Sequence, residues 1–446
     1  MADAEHREAP AGRRPALTGD DLAALSGLTG ESPALCALRR AAAGRYAAVA
    51  DPDRVTHLWR FTDPAHLLPE AVQPSPSGAP HAAPHALGAA ARVLMVAGLR
   101  PLIATDLKAL AAGLVVKPLA EAEEELAALS DRERADSDHT GAATGDIDDD
   151  EGLFQALNGA AWNTGLYVGV PPGAVLADPV HVVIDATGGP TLPRLVVDLG
   201  EGAQAVVVEE HTGGDAGSRV VASSELHAAA GARLRHVLVQ TWGEGVRGHL
   251  TARARAGRDA DVLTVFASFG GERSKVELAT DLAGEGARSE MIGVVMGAGR
   301  QRFDHHTRHR HLAGRTWSNI DFKAVADGSA RSSYTGLIRI EQDARGSEAY
   351  QENRNLLLSA GSRADSIPEL EILNEDVGCS HGATVSPVDP AQVFYLQSRG
   401  LDPDEALRLI VRGFLEKTLA RLPEDLRERL EALVGTRLAA LQGRSS

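Results

Sequence analysis

The run Gly231-Ala232-Arg233-Leu234-Arg235-His236-Val237-Leu238-Val239-Gln240-Thr241-Trp242-Gly243 reads as one strand closed by glycine at each end. Aliphatic and β-branched residues favour an extended, packed backbone, and glycine supplies the turn. Runs of the same texture recur on both sides: His181–Asp185, Leu195–Asp198, Ala205–Glu209, Val262–Phe266, Met291–Met296 and Gly336–Glu341. The glycines keep step with them. Gly173, Gly202, Gly231, Gly257, Gly286 and Gly314 recur at about 28 residues, a period that marks a repeat architecture. Gly189, Gly214, Gly243, Gly271, Gly299 and Gly328 fall about midway. Two strands and two turns per repeat predict coils stacked into a β-solenoid. One coil cannot bury its inner face alone, but stacked neighbours share a continuous core. An antiparallel sandwich is the competing arrangement.

Composition agrees with a narrow aliphatic interior, because only 4% of the 446 residues are aromatic. The length predicts more than one domain. A net charge of −16 argues against nucleic acid and anionic membrane surfaces as partners. No window of about 18 apolar residues predicts a membrane span. Met1–Asp20 lacks the apolar stretch of a secretory signal, so a cytoplasmic chain is expected. Cys36 and Cys379 could form one disulfide at most, and reduced thiols fit that compartment better.

The flanks differ from this repeat. We divide the chain into a mixed helical N-terminal region with loops over 1–160, a β-helix core over 161–395 and a helical C-terminal region over 396–446. Leu22, Leu25, Leu28, Leu35 and Leu38 carry helical spacing, and Arg92–Val116 holds short strand-like runs. Glu121–Leu129 reads as helix. Gln73–Ala90 and the acidic Asp131–Glu151 read as loops. The acidic run Asp146–Glu151 fits a Ca²⁺ loop poorly. Asp402-Pro403-Asp404-Glu405 is a helix start, with Asp402 as cap. Leu407, Ile410, Phe414 and Leu415 follow at helical spacing, and a second helix carries Leu426, Leu430, Leu433 and Leu438. Two such helices need the solenoid end, or a partner, to cover their apolar face.

Several motifs bear on chemistry. Gly243-Glu244-Gly245-Val246-Arg247-Gly248 matches a dinucleotide fingerprint in letters, but a strand-like segment follows where a helix is required. The P-loop, nucleophile-elbow and zinc-protease signatures are missing, which disfavours a self-sufficient enzyme. His305, His309 and His311 would share one face of a strand, with His306 on the other. They are candidate metal ligands, against the plainer reading of an exposed polar face. Cys379 and His381 sit two apart and share a face if extended, a plausible ligand pair for iron or a cluster. A cluster wants about four ligands, mostly cysteine, so this chain needs another to complete a site.

At this segment a resemblance appears. Pro368-Glu369-Leu370-Glu371-Ile372-Leu373-Asn374-Glu375-Asp376-Val377-Gly378-Cys379-Ser380-His381-Gly382-Ala383-Thr384-Val385 resembles the C-terminal hallmark of the SufB/SufD family. Phe394-Tyr395-Leu396-Gln397-Ser398-Arg399-Gly400-Leu401, Asn353–Ser359 and Ser318–Lys323 are similar to family segments too. Trp59-Arg60-Phe61-Thr62-Asp63 resembles an N-terminal W-R-x-T-D motif. Within the family the Cys379-Ser380-His381-Gly382 form looks SufD-like, and Leu356–Leu373 lacks the further cysteine of SufB chains.

The resemblance implies a mainly β protein. Its core would be a right-handed parallel β-helix, with an N-terminal α/β region and C-terminal helices. It implies a non-catalytic subunit of the SUF iron–sulfur assembly scaffold. A SufB-like paralogue would pair with it, and a SufC-like ABC ATPase would dock on the C-terminal helices around Leu409, Ile410 and Phe414. Cys379 and His381 would face a transient cluster, or iron, shared at the subunit interface, with nothing bound tightly to the isolated chain. A homodimer of the isolated chain is a further expectation. A β-solenoid carbohydrate-active enzyme, and a purely architectural solenoid without metal, are the alternatives.

Overall fold

The structure is a computed structural model describing residues 14–52, 57–74, 88–136, 152–421 and 424–440. Its N-terminal strands are β1 (Ala91–Val96), β2 (Leu102–Thr105) and β3 (Val115–Pro118). The first coils comprise β4 (Thr164–Val170), β5 (Val180–Asp185), β6 (Pro193–Leu199), β7 (Gln204–Gly213), β8 (Arg219–Ala228), β9 (Arg233–Trp242), β10 (Arg247–Ala256) and β11 (Asp261–Ser268). The later ones are β12 (Arg273–Leu282), β13 (Arg288–Gly297), β14 (Arg302–His311), β15 (Trp317–Ala326), β16 (Arg331–Ile340), β17 (Ser347–Leu357), β18 (Arg363–Ile372) and β19 (Val377–Pro387).

From β4 onward, odd strands form one sheet and even strands the other, each strand pairing in parallel with the strand two further along. Eight strands per sheet make eight coils of a parallel β-solenoid. The sandwich alternative is therefore set aside. The register does not slip over the later coils: Arg219, Arg247, Arg273, Arg302, Arg331 and Arg363 stand opposite one another down six successive strands. Strand pairing starts before residue 161, since β1 joins β5 in parallel and β3 joins β4 antiparallel.

The lumen is aliphatic at the N-terminal end, with Val93, Val168, Val182, Leu195, Val207 and Leu234 among its buried members. Toward the other end it takes up larger side chains, including Phe266, Phe303, Phe322 and Tyr334. The turn register differs from the glycine count at two coils. The left-handed position of one turn series is held by Gly173, Gly202, Gly231, Asp259, Gly286, Arg315 and Gly346. Gly257 and Gly314 precede it and serve a different need. A Cβ on Gly257 would meet the Ala229–Ala230 backbone at 3.1 Å, and one on Gly314 would meet the Arg345 carbonyl at 3.0 Å.

Helices dress the solenoid. In the N-terminal region α1 (Gly19–Thr29), α2 (Pro33–Ala48), α3 (Leu107–Ala111), α4 (Glu123–Asp136) and α5 (Gly152–Ala161) appear. Thr18 and Asp21 close a capping box on α1. Arg39 is buried in α2, pairs with Glu31 and donates to the carbonyls of Ala160 (2.9 Å) and Trp162 (3.1 Å), which ties α2 to the end of α5. Residues 131–136, read as loop from composition, continue α4. The acidic run 146–151, most of the leading tail and residues 75–87 lie outside the described residues.

The C-terminal helices are α6 (Pro390–Ser398), α7 (Pro403–Leu419) and α8 (Glu424–Ala440). Asp402 caps α7 in a capping box with Glu405. α7 and α8 lie along the outer face of the odd-numbered sheet rather than over its end. Val411, Leu415, Leu419, Leu430, Val434 and Leu438 pack there against Val208, Val237, Val265, Val294 and Val325. Burial of each such side chain is worth about 1.5–3 kcal/mol, enough to hold helices that are marginal in isolation.

Candidate functional site

The last coil positions the Cys379/His381 pair. β19 pairs in parallel with β17, placing Cys379 opposite Ala349 and His381 opposite Gln351. Ala349 is fully buried, and Cys379 packs with it against Ile338 and Ile340, so odd-numbered positions of β19 face the lumen. Both side chains therefore point inward from the outermost strand of their sheet. Among the described residues, no strand follows β19 or β18 in either sheet. As a result Cys379 is half-buried and His381 is exposed. Cα atoms two apart on a strand are about 6.6 Å from each other, within reach of one bound group.

The thiol of Cys379 is pushed up by burial, which outweighs the hydrogen bond at the Ala349 backbone. It is thus a neutral thiol at neutral pH, and a metal or a cationic neighbour would have to draw off its proton before it could ligate. Opposite His381, Gln351 Oε1 is buried without a hydrogen-bond partner, as is Asn355 Oδ1 opposite Val385. Exposed apolar side chains crowd the same end, among them Leu373 and Val385. Unpaired strand edges beside apolar surface are a template for another chain.

The three further histidine candidates lie apart. His305, His309 and His311 do share one face of β14, but that face is the closed lumen, and each is at most 1% exposed. This corrects the plainer reading of an exposed polar face. His305 sits among Phe266, Phe303 and Phe322. His309 meets Ser289 Oγ at 2.9 Å, while His311 is held by Thr316 (2.7 Å) and Ser318 (2.8 Å). Burial lowers His305 and His309 to about 3 and His311 to about 4. Positions four residues apart on a strand are about 13 Å from each other, so His305 does not converge with His309 and His311. Among the described residues, no group of three or more His, Cys, Asp or Glu side chains is gathered to hold a metal ion. Both cysteines are free.

Two buried charge clusters carry no motif in the sequence. In the lumen, Glu209 accepts from His211 (2.7 Å), His236 (2.9 Å) and Ser224 (2.8 Å). Burial drives the Glu209 pKa up, but hydrogen bonds and charge from the two imidazoles win and hold it well below the usual range. On the outer face of the even sheet, Lys275 bonds His306 at 2.9 Å and the Leu58 carbonyl at 2.7 Å. Trp59 is fully buried there, stacked on Phe154 and His249, with Lys275 Nζ 4.7 Å from its ring centroid. The W-R-x-T-D segment thus straps the N-terminal region to the solenoid. Folding the sequence on its own period would have brought both clusters together, since His236 stands opposite Val207 beside Glu209, and Lys275 opposite Asp304 and His249.

Of the three residues assigned to a partner, Leu409 is 49% exposed. Ile410 joins it with Tyr395 and Leu396 in lining an apolar hollow of about 430 Å³ between α6 and α7. Phe414 instead leans on the solenoid, where Lys323 Nζ lies 5.2 Å from its ring centroid and donates to its carbonyl at 2.7 Å. Gly243–Gly248 is a turn leading into strand β10, which removes the dinucleotide reading. Among the described residues no helix is long and apolar enough to cross a membrane.

The class of protein defined by these features is a parallel β-solenoid with a Cys–His pair at an open end and helices on its flank. Residues 182–414, just over half the chain, match the family model described as SUF system FeS cluster assembly, SufBD core domain. The chain belongs to this SufBD family. It is 32% identical over 299 residues to an iron–sulfur cluster assembly SufBD family protein of Mycobacterium leprae, covering 65% of this chain and 34% of that protein. A SufBD family protein of Mycobacterium tuberculosis is 31% identical over 302 residues, covering 65% of this chain and 75% of the relative. The iron–sulfur cluster assembly protein SufB of Bacillus subtilis is 29% identical over 290 residues, covering 63% and 61%. The chain thus spans only about a third of the length of the Mycobacterium leprae relative.

Proposed function

We propose that this chain is the SufD-type, non-catalytic subunit of an iron–sulfur assembly scaffold in the cytoplasm. It pairs with a SufB-like subunit through its last coil and docks a SufC-like ABC ATPase at the α6–α7 hollow. The observation that carries the reading is the placement of Cys379 and His381. They are the inward-facing donors of the last coil, which among the described residues no further strand covers. Two donors leave a cluster under-ligated, so the nascent cluster, the cargo of the scaffold, draws its remaining ligands from the partner. SufD rather than SufB is supported by the absence of cysteine from Leu356–Leu373 and by the Cys379-Ser380-His381-Gly382 form.

The test is Cys379→Ala and His381→Ala in the complex reconstituted with both partners. Each variant is expected to assemble normally, yet lose most of its iron and acid-labile sulfide after anaerobic reconstitution. Wild-type cluster content in both variants overturns the reading and leaves an architectural solenoid. For docking, Leu409→Asp should abolish co-elution with the ATPase while the fold is kept.

A further inference from the structure

One coil below the Cys379/His381 pair, the lumen changes from apolar to amide. β15 turns Ile320, Phe322 and Ala324 inward. In register with them, β17 places Gln351, Asn353 and Asn355, each at most 3% exposed. β19 then sets His381, Ala383 and Val385 over the three amides. An amide is expensive in an interior unless both of its ends are paired.

Two of the three account for themselves only in part. Asn353 Nδ2 donates to the Phe322 carbonyl at 3.1 Å, and its Oδ1 accepts from Asn355 Nδ2 at 2.6 Å. Asn355 Nδ2 also meets the Thr384 carbonyl at 3.2 Å, so these side chains tie β17 to both of its neighbours. Asn355 Oδ1 has no partner, and Val385 above it has no donor to offer. Gln351 differs. Its Nε2 donates across the lumen to the Gly336 carbonyl at 3.3 Å, which fixes the oxygen end of the amide. Its Oε1 is left without a donor. That oxygen is closed to solvent, so only a side chain of the protein's own lumen can meet it. The residue registered over Gln351 is His381, about 4.8 Å away along the ladder and able to donate.

A histidine that binds a metal through one ring nitrogen carries its N–H on the other. That N–H is nearly always held by an acceptor, which fixes the tautomer and the direction of the ring. We propose that Gln351 is the positioning residue of the pair: its Oε1 accepts the N–H of His381 when the other ring nitrogen takes iron. The inference rests on the reading of Cys379 and His381 as ligands. The bond draws the ring from solvent toward the lumen, on the side where Cys379 packs with Ala349. Gln351 touches no cargo and acts through His381.

The experiment is a Co²⁺ titration of the full chain, reduced and without partners, followed by thiolate-to-cobalt charge-transfer absorption. Cys379→Ala and His381→Ala define the signal that belongs to the pair. Gln351→Leu, close in volume but without the acceptor, is expected to weaken that binding by about tenfold or more, the usual loss when a ligating histidine loses its partner. Gln351→Glu keeps an acceptor oxygen but gives up the donor to Gly336, and should restore binding. A residue needed only for packing would fail in both variants, which keeps the role falsifiable if Gln351→Leu folds poorly. Wild-type affinity in Gln351→Leu, or binding lost in Gln351→Glu, overturns the positioning role and leaves the ligand pair standing. A cobalt signal that is missing from the wild type, or unchanged in Cys379→Ala and His381→Ala, overturns the pair and the positioning role together.

Discussion

His305 in β14 and His381 in β19 are both inward-facing histidines of the same solenoid, and they live in opposite environments. His305 is 1% exposed, its ring wedged among three phenylalanines and its two nitrogens without partners. His381 is exposed, because among the described residues no coil follows its own. The fold assigns both the same direction, and the presence or absence of a covering coil decides whether an imidazole is structure or chemistry. A parallel ladder seals every interior position and leaves donors available only at its ends.

The sealed region should respond most strongly to mutation. Glu209→Ala removes the acceptor of two imidazoles and a hydroxyl in the lumen, and should cost about 3–5 kcal/mol, read by urea denaturation. A loss under 1 kcal/mol would break the contrast at its stronger side. Next comes pH. His305 and His309 have pKa values depressed from 6.5 to about 3 by burial. Their native state therefore binds fewer protons than the unfolded chain. The stability they contribute is complete above pH 6.5 and falls as pH drops toward 3. Each ring should cost on the order of 2 kcal/mol by pH 5, measured as a falling denaturation midpoint. His305→Phe should flatten that slope while leaving stability at pH 8 unchanged or higher, since it removes two unpartnered nitrogens.

The open region should behave in reverse. His381→Ala and Cys379→Ala should shift the isolated chain's stability by no more than about 0.5 kcal/mol, the ordinary range for surface changes. Val385→Lys, on the same uncovered strand, should be as mild for folding, yet prevent the proposed pairing with a SufB-like subunit in analytical ultracentrifugation. A large destabilisation from any of these would show that the last coil is closed in solution.

Much of this was legible in the sequence. The period of glycine-bounded runs fixed the solenoid because every coil repeats one backbone task. Cys379 and His381 were legible as a pair because side chains two apart on a strand share a face. Which face was not, because burial depends on what lies above, and composition is silent about stacking order. Hence β14, with five polar or charged residues in Asp304–Arg308, reads as exposed, while the lumen and the Trp59 strap bury most of it. The flank position of α7 and α8 was equally hidden. Their apolar stripe specifies that they pack, and only the Val-rich outer face of the odd sheet, at Val208, Val237 and Val265, specifies where. Asp259 and Arg315 in left-handed turns escaped a count of glycines because the neighbouring glycines serve close backbone contact instead.

The helices on that flank change how the molecule comes apart. A repeat array whose members touch only adjacent members frays from its ends, one unit at a time. Here α7 and α8 splint non-adjacent coils, with Arg429 paired to Glu210 near one end, Arg421 to Glu290 and Asp321 further along, and Thr418 bonded to Asp321 at 2.9 Å. Peeling the terminal strands cannot propagate inward without lifting the splint, which holds the middle coils at the same time. Unfolding of the solenoid becomes one concerted event, and a pull on α7 is felt by several coils together.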